Sequence, residues 1–209
     1  MFFSFDGIDG CGKSTQTGLF CEYLRETGRE VVFCRDPGST NLGEAVREIL
    51  LDGEISEISP RSEMLLYMAA RAQLVDEVIG PALAAGKVVV SDRFLLANVV
   101  YQGHARGLSP PTLWQIGQVA TDGVAPDLTF VLDLPVDVAA SRVGGERDRM
   151  ESEGAAFHQR LRDGFLVEAK SAPNPIAVID ATASIDEVQQ QIRQAATRLL
   201  DAEEVSKST

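Results

Sequence analysis

FFSFDGIDGCGKST, residues 2–15, is an apolar run that breaks into glycines and then into Lys-Ser-Thr. Its second part, Gly7 to Ser14, fits G-x-x-x-x-G-K-[ST], a motif that carries weight only where a strand precedes it and a helix follows. Both conditions hold. Phe2–Phe5 has the aromatic content of a buried strand, and STQTGLFCEYL continues as helix. The glycines let backbone N–H groups turn inward around phosphate, and the helix start adds its positive dipole end. The reading expects Gly7, Asp9, Gly10, Cys11, Gly12, Lys13, Ser14 and Thr15 to hold a nucleoside triphosphate, with Lys13 on its outer phosphates and the Ser14 hydroxyl on Mg²⁺.

Working outward, further β-branched runs recur at Val31–Cys34, Val88–Val90, Leu128–Leu134 and Ile176–Ile179, separated by helical patterns. That alternation reads as an α/β fold with a mainly parallel five-stranded sheet flanked by helices in three layers. Ser59-Pro60 is a helix start, and Leu65, Met68, Ala72, Val75 and Ile79 make one apolar stripe along a helix ending near Gly86. Ser184 and Glu187 fit a capping box for a last helix whose buried face is Ile185, Val188, Ile192 and Leu199. The polar remainder, residues 201–209, is expected to fray, and Val143–Gly154 reads as a mobile surface segment. A single domain over 1–209 is expected.

Composition excludes several classes. A formal net charge of -12 argues against a surface that tracks nucleic acid, which needs clustered Lys and Arg. No leader-like start and no run near 20 apolar residues points to a protein without a membrane anchor. Cys11, Cys21 and Cys34 have no metal-ligand spacing and suit reduced thiols in the cytoplasm. His104, expected in a loop, and His158, on a helix, read as structural or solvated.

The other half of the site is expected from strand ends. Arg35 and Arg93 follow the second and third apolar runs, at the carboxyl edge where open α/β sheets bind ligands. Their planar forks suit a second phosphate. Asp92 follows Val88–Val90 as a Walker-B-type acid does, placing a carboxylate near Mg²⁺.

These motifs, with Arg35-Asp36-Pro37-Gly38-Ser39-Thr40, Tyr67–Gln73, Asp92-Arg93-Phe94, Tyr101-Gln102-Gly103 and Asp148-Arg149-Met150-Glu151, occur in the order of the thymidylate kinase family, especially its bacterial members. The resemblance spans most of the chain and implies a P-loop kinase fold and transfer of a phosphoryl group from MgATP to deoxythymidine monophosphate (dTMP). It implies that Tyr67 stacks on thymine, that Arg71, one helical turn on, donates to a thymine carbonyl, and that Asn98 and Gln102 belong to the same acceptor pocket. Asp9 resembles the family acid that meets the sugar 3′-hydroxyl, and Tyr101 the side chain that crowds out a ribose 2′-hydroxyl. Ser39, Asp36, Ala97 and Val100 depart from the family pattern of Gly, Glu, Ser and Ala.

The loop positions Ile8, Asp9, Gly10 and Cys11 include no Arg, and family members of that kind supply the cation from a lid. Here the lid is expected over 142–154, with Arg142 on the nucleotide and Arg149 or Arg147 as catalytic cations beside Lys13, Arg93 and Asp92. The resemblance also implies a homodimer and small nucleotide substrates. The rival readings are a kinase of the same architecture acting on another nucleoside monophosphate or a deoxynucleoside, and a noncatalytic nucleotide-binding module.

Overall fold

Each apolar run becomes a strand: β1 (Phe2–Asp6), β2 (Val31–Arg35), β3 (Val88–Asp92), β4 (Leu128–Asp133) and β5 (Ile176–Asp180). The structure is a computed structural model and describes residues 1–51, 58–142 and 153–207. All pairings are parallel, in the order β2-β3-β1-β4-β5. The strands run on to a charged residue at the carboxyl edge, and β4 stops at Asp133 rather than Leu134. Arg35 stands opposite Asp92, Phe5 opposite Asp92, and Asp133 opposite Asp180. One edge of the sheet thus collects acids and bases that the apolar interior would not tolerate.

Between the strands lie α1 (Lys13–Glu26), α2 (Asn41–Leu51), α3 (Pro60–Leu74), α4 (Gly80–Ala84), α5 (Leu95–Asn98), α6 (Pro110–Ala120), α7 (Val136–Arg142), α8 (Ala155–Ser171) and α9 (Ile185–Lys207). Strand alternation divides the core in two. Phe3 and Phe5 face α1, α8 and α9, where their rings meet Phe20 and Phe130 at centroid distances of 4.9 to 5.9 Å. Phe2 and Val89 face α3, α4 and α6 on the other side. No helix among the described residues is long and apolar enough to cross a membrane.

The helix begun at Ser59-Pro60 forms as expected, with the Ser59 hydroxyl accepting from the Ser62 N–H. Its stripe differs. Leu65 points outward, 52% exposed, and Ala72 is half-buried, while Met64, Arg71 and Leu74 join Met68 on the inner face. Arg71 and Glu63 are both buried there because each has a charged partner, which a count of apolar residues does not anticipate. A π-helical turn at Val75–Ile79 then shifts the phase before α4.

The capping box at α9 is present: the Ser184 N–H and hydroxyl donate to Glu187, and the Glu187 N–H donates back to Ser184. Val188 and Ile192 are buried, but Ile185 is exposed and Leu199 only half-buried, with Leu200 taking the inner position. Ile185 lies in the first turn, which opens onto a crevice rather than the core. α9 continues to Lys207 through most of the stretch expected to fray. His104 is not in a loop. It sits in the π-helical segment Val99–Ala105 that prolongs α5, 2.7 Å from Glu168, which also accepts from the Trp114 indole.

Candidate active site

The chain leaves β1 through Gly7 at φ 140°, pressed so close to β4 that a Cβ there would stand 2.7 Å from the Leu132 carbonyl oxygen. Gly12, at φ 94° in the left-handed region, turns the loop into α1, whose N-terminus carries no side-chain cap. First-turn N–H groups without a side-chain partner are what an anion requires. The Lys13 ammonium, nearly buried, folds back over the loop to donate to the carbonyls of Gly7 and Ile8 and to Asp9, at 3.0 to 3.3 Å. Ser14 and Thr15 are exposed at the mouth.

Asp9 ties this loop to the third strand. Its carboxylate accepts from Arg93 Nη2 at 2.6 Å, from Lys13 at 3.3 Å and from the Tyr101 hydroxyl at 3.3 Å. Burial acts to raise the Asp9 carboxyl, but Arg93 and Lys13 outweigh it and hold it well below the usual carboxylate range. Arg93 also donates to the Gly7 carbonyl at 3.2 Å and lies over the Tyr101 ring at 5.0 Å. Its own backbone is left-handed, φ 66°.

The facing side of the crevice is built by β2, α2, α3 and α5. Arg35 meets Glu44 at 3.3 Å while its Nε has no partner among the described residues. Arg71, 1% exposed, donates to Asp36 at 2.6 Å, to Asn98 at 3.0 Å and to the Phe94 carbonyl at 3.4 Å. Asn98 in turn donates to Gln102 at 2.6 Å. Of the residues expected from sequence, Asp9, Gly10, Cys11, Gly12, Lys13, Ser14, Thr15, Arg35, Tyr67, Arg71, Asp92, Arg93, Asn98, Tyr101, Gln102 and Arg142 line one crevice of about 880 Å³. Gly7 contributes its carbonyl just behind. That volume is at the upper end of single-ligand pockets, as two substrates meeting end to end would need. Arg147, Arg149 and most of the expected lid lie outside the described residues.

Against known proteins, the family model described as thymidylate kinase matches residues 5–192. The chain belongs to the thymidylate kinase family. It is 49% identical over 194 residues to a thymidylate kinase of Kosmotoga olearia, covering 92% of this chain and 93% of that one. A thymidylate kinase of Rhodopirellula baltica is 48% identical over 187 residues, covering 90% of this chain and 76% of the relative. The crystal structure of thymidylate kinase from Ehrlichia chaffeensis superposes with a TM-score of 0.77 at 33% identity, covering 94% of this chain and 98% of that one.

The departure from the thymidylate kinase pattern at Ser39 has a local explanation. Ser39 adopts φ 62°, a conformation that favours glycine, but its hydroxyl accepts from the Arg35 N–H at 3.0 Å and its N–H donates to Glu44 at 2.8 Å. Ala97 lines the crevice beside Asn98. Sequence reading missed Arg47, which reaches the crevice from α2 and donates to the Pro37 carbonyl at 3.3 Å. Burial and the nearby Arg35 lower its pKa, the signature of a cation gathered toward others. It also missed the far wall, where Ala181, Ala183, Ser184, Ile185 and Val188 meet the crevice and Gln16 donates to the Ile185 carbonyl at 2.9 Å. Alanine and serine in a short loop, and apolar residues in the first turn of α9, give no signal by type.

Two acids stand behind the loop with unused oxygens. Asp92 Oδ1 and both oxygens of Asp6 are buried without a protein hydrogen bond among the described residues. With the Ser14 hydroxyl these are hard oxygen donors, the chemistry that suits Mg²⁺ held by one or two protein groups and phosphate. Asp6 is pushed up from 3.8 to about 8, because burial outweighs Arg93 and Lys13. Its folded pKa is above the unfolded one, so its contribution to stability is complete below about pH 4 and is lost as pH rises through about 8. Asp6→Asn should flatten that decline when unfolding is followed by urea from about pH 5 to about pH 9. A slope equal to the parent's would exclude Asp6 as its source.

Proposed function

We propose that the chain transfers the γ-phosphoryl group of ATP to dTMP, giving ADP and dTDP. The observation that carries this is the meeting, across Asp9, of a triphosphate loop with a second set of cations at Arg93, Arg35 and Arg47. A nucleotide switch would need only the first. The donor lies with its phosphates on Gly7–Thr15 and its base toward Arg142 and the 181–188 wall. The acceptor base lies on Tyr67, its edge toward Arg71, Asn98 and Gln102, with Tyr101 beside the sugar. Ser14 and Asp92 hold Mg²⁺, which when bound neutralises charge on the donor phosphates.

The acceptor is a phosphate monoester whose second pKa is about 6, so it is already an anionic nucleophile and needs no base. What it needs is approach to another polyanion in line. Lys13 and Arg93 sit where that charge collects, and Asp9 holds both in place. ADP release measured with dTMP, dUMP, CMP, AMP, GMP and the nucleosides tests the reading: dTMP gives the highest kcat/KM. Equal turnover of any competitor would sink it, though some dUMP activity is expected, since one methyl is worth about 1–3 kcal/mol.

Arg149 and Arg147 are proposed as further cations for the transferring group. Replacing either with alanine should lower kcat by about 10² with a modest change in the KM for dTMP. Near-normal kcat in the double variant would leave that charge to Arg93 and Lys13. A homodimer is supported by apolar side chains left outside on neighbouring helices, Leu42 and Ile49 on α2, Leu65 on α3 and Val119 on α6, 41% to 83% exposed. The solution mass should then be twice 22.5 kDa, and a monomer mass at micromolar concentration would overturn it. The buried free thiols of Cys11, Cys21 and Cys34 suit the cytoplasm.

A further inference from the structure

Behind the acceptor pocket runs a chain of side chains that are 0% to 2% exposed: Arg71, Asn98, Gln102 and Glu63. Glu63, on α3, does not line the crevice. Its Oε1 accepts from Gln102 Nε2 at 2.6 Å and from Arg106 Nε at 3.1 Å. Gln102 Oε1 accepts from Asn98 Nδ2 at 2.6 Å, and Asn98 Oδ1 accepts from Arg71 Nη1 at 3.0 Å.

The direction of this chain is fixed by its ends. A carboxylate can only accept and a guanidinium can only donate, whereas each amide between them has one end of each kind. Turning either amide over would set N–H against N–H or oxygen against oxygen in a buried place, where an unmade hydrogen bond is costly. Both ends therefore impose the same orientation. They differ in one respect: Arg71 faces the crevice and is drawn to the base in the reading above, while Glu63 stands behind it. With a nucleotide bound, Glu63 is the end that still holds the direction.

We infer that Glu63 is a positioning residue for selection of the acceptor base. Acting through Gln102, it fixes which face of the Gln102 and Asn98 amides the pyrimidine edge meets. Thymine and uracil present an N–H between two carbonyls. Cytosine presents a bare ring nitrogen beside an amino group, the reverse pattern at both positions, and amides that cannot turn over cannot follow it. A site built in this way rejects the mismatched partner far more strongly than shape alone does. The inference rests on the dTMP reading and refines it.

The test uses the full chain and compares kcat/KM for dTMP and dCMP, with unfolding temperature measured alongside. Glu63→Gln keeps the size but makes that end able to donate as well as accept. The dTMP to dCMP ratio should fall about tenfold or more, mainly through KM, with kcat at saturating dTMP within about threefold of the parent. Glu63→Asp keeps the charge beside Arg106 but draws the acceptor back from Gln102, and should give a smaller fall in the same direction. An unchanged ratio in both single variants overturns the inference. So does an equal loss for both acceptors together with a lower unfolding temperature, which marks a purely structural residue. If the parent itself turns over dCMP as well as dTMP, the dTMP reading fails before Glu63 is reached.

Discussion

Arg93→Gly is expected to give a folded protein, within about 1 kcal/mol of the parent in stability, whose kcat/KM for dTMP is lower by about 10³-fold or more. The two halves of this result have separate causes. Arg93 holds a left-handed backbone, φ 66°, which costs a non-glycine residue about 1–3 kcal/mol. Its backbone bonds, N–H to the Phe5 carbonyl at 2.9 Å and carbonyl from the Ser91 hydroxyl at 2.6 Å, survive the substitution. Relief of strain then offsets the lost pair with Asp9, which keeps Lys13 and Tyr101. Activity has no such compensation, because the fork that spans Asp9 and the Gly7 carbonyl is the cation proposed to stand between the two phosphate sites. Arg93→Lys should recover little, since an ammonium cannot reproduce the fork. Thermal unfolding and steady-state kinetics on the same preparations check both halves. A glycine variant within tenfold of parental activity would assign the transferring charge to Lys13 and the lid.

Asp36→Ala acts on stability instead, and should cost about 3–5 kcal/mol. Asp36 and Arg71 meet at 2.6 Å with side chains 0% and 1% exposed. Losing the acid leaves a guanidinium buried among neutral acceptors, Asn98, the Phe94 carbonyl and the Met68 sulfur. Removing the charge as well, in Asp36→Ala with Arg71→Met, should restore most of the stability, because an apolar replacement of a buried pair is often neutral. It should not restore phosphorylation of dTMP, for which Arg71 is the proposed base contact. Urea unfolding of the single and double variants measures the coupling. A single variant within about 1 kcal/mol of the parent would show that the pair contributes little to folding.

The contrast between these sites explains what could be read from sequence. The strands were legible because β1, β3 and β4 are buried on both faces, so Val, Phe and Leu fill adjacent positions, broken only by Ser4 in β1 and Thr129 in β4, which hydrogen-bond to each other. The phosphate loop was legible because its backbone demands glycine where few other residues fit. Buried charge was not. Glu63, Arg71 and Asp6 break the apolar pattern of their elements, and without the fold there is no sign that Gln102 and Arg106 meet the first, or Asp36 the second. Arg71 was expected as a base contact and left out of the apolar stripe of α3, yet it is buried, while Leu65 was placed in that stripe and points out. Arg47 looked like any charge on a helix until the turn at Pro37 brought it beside Arg35.

The order of strands has a consequence for how the protein is made. The proposed acceptor wall is contributed by residues within 35–102, one continuous stretch, but the proposed donor wall joins the loop at 7–15 to Arg142 and the segment 181–188. On the ribosome the phosphate loop therefore emerges well before the segments that complete the crevice around it. β4 pairs with β1 but keeps an open edge until β5 arrives. At about 5–20 residues per second the interval between the loop and residue 188 is roughly ten to thirty-five seconds. Once residue 102 has emerged the nascent chain can gather its proposed dTMP side, but the wall proposed to retain ATP is absent until residues 181–188 follow.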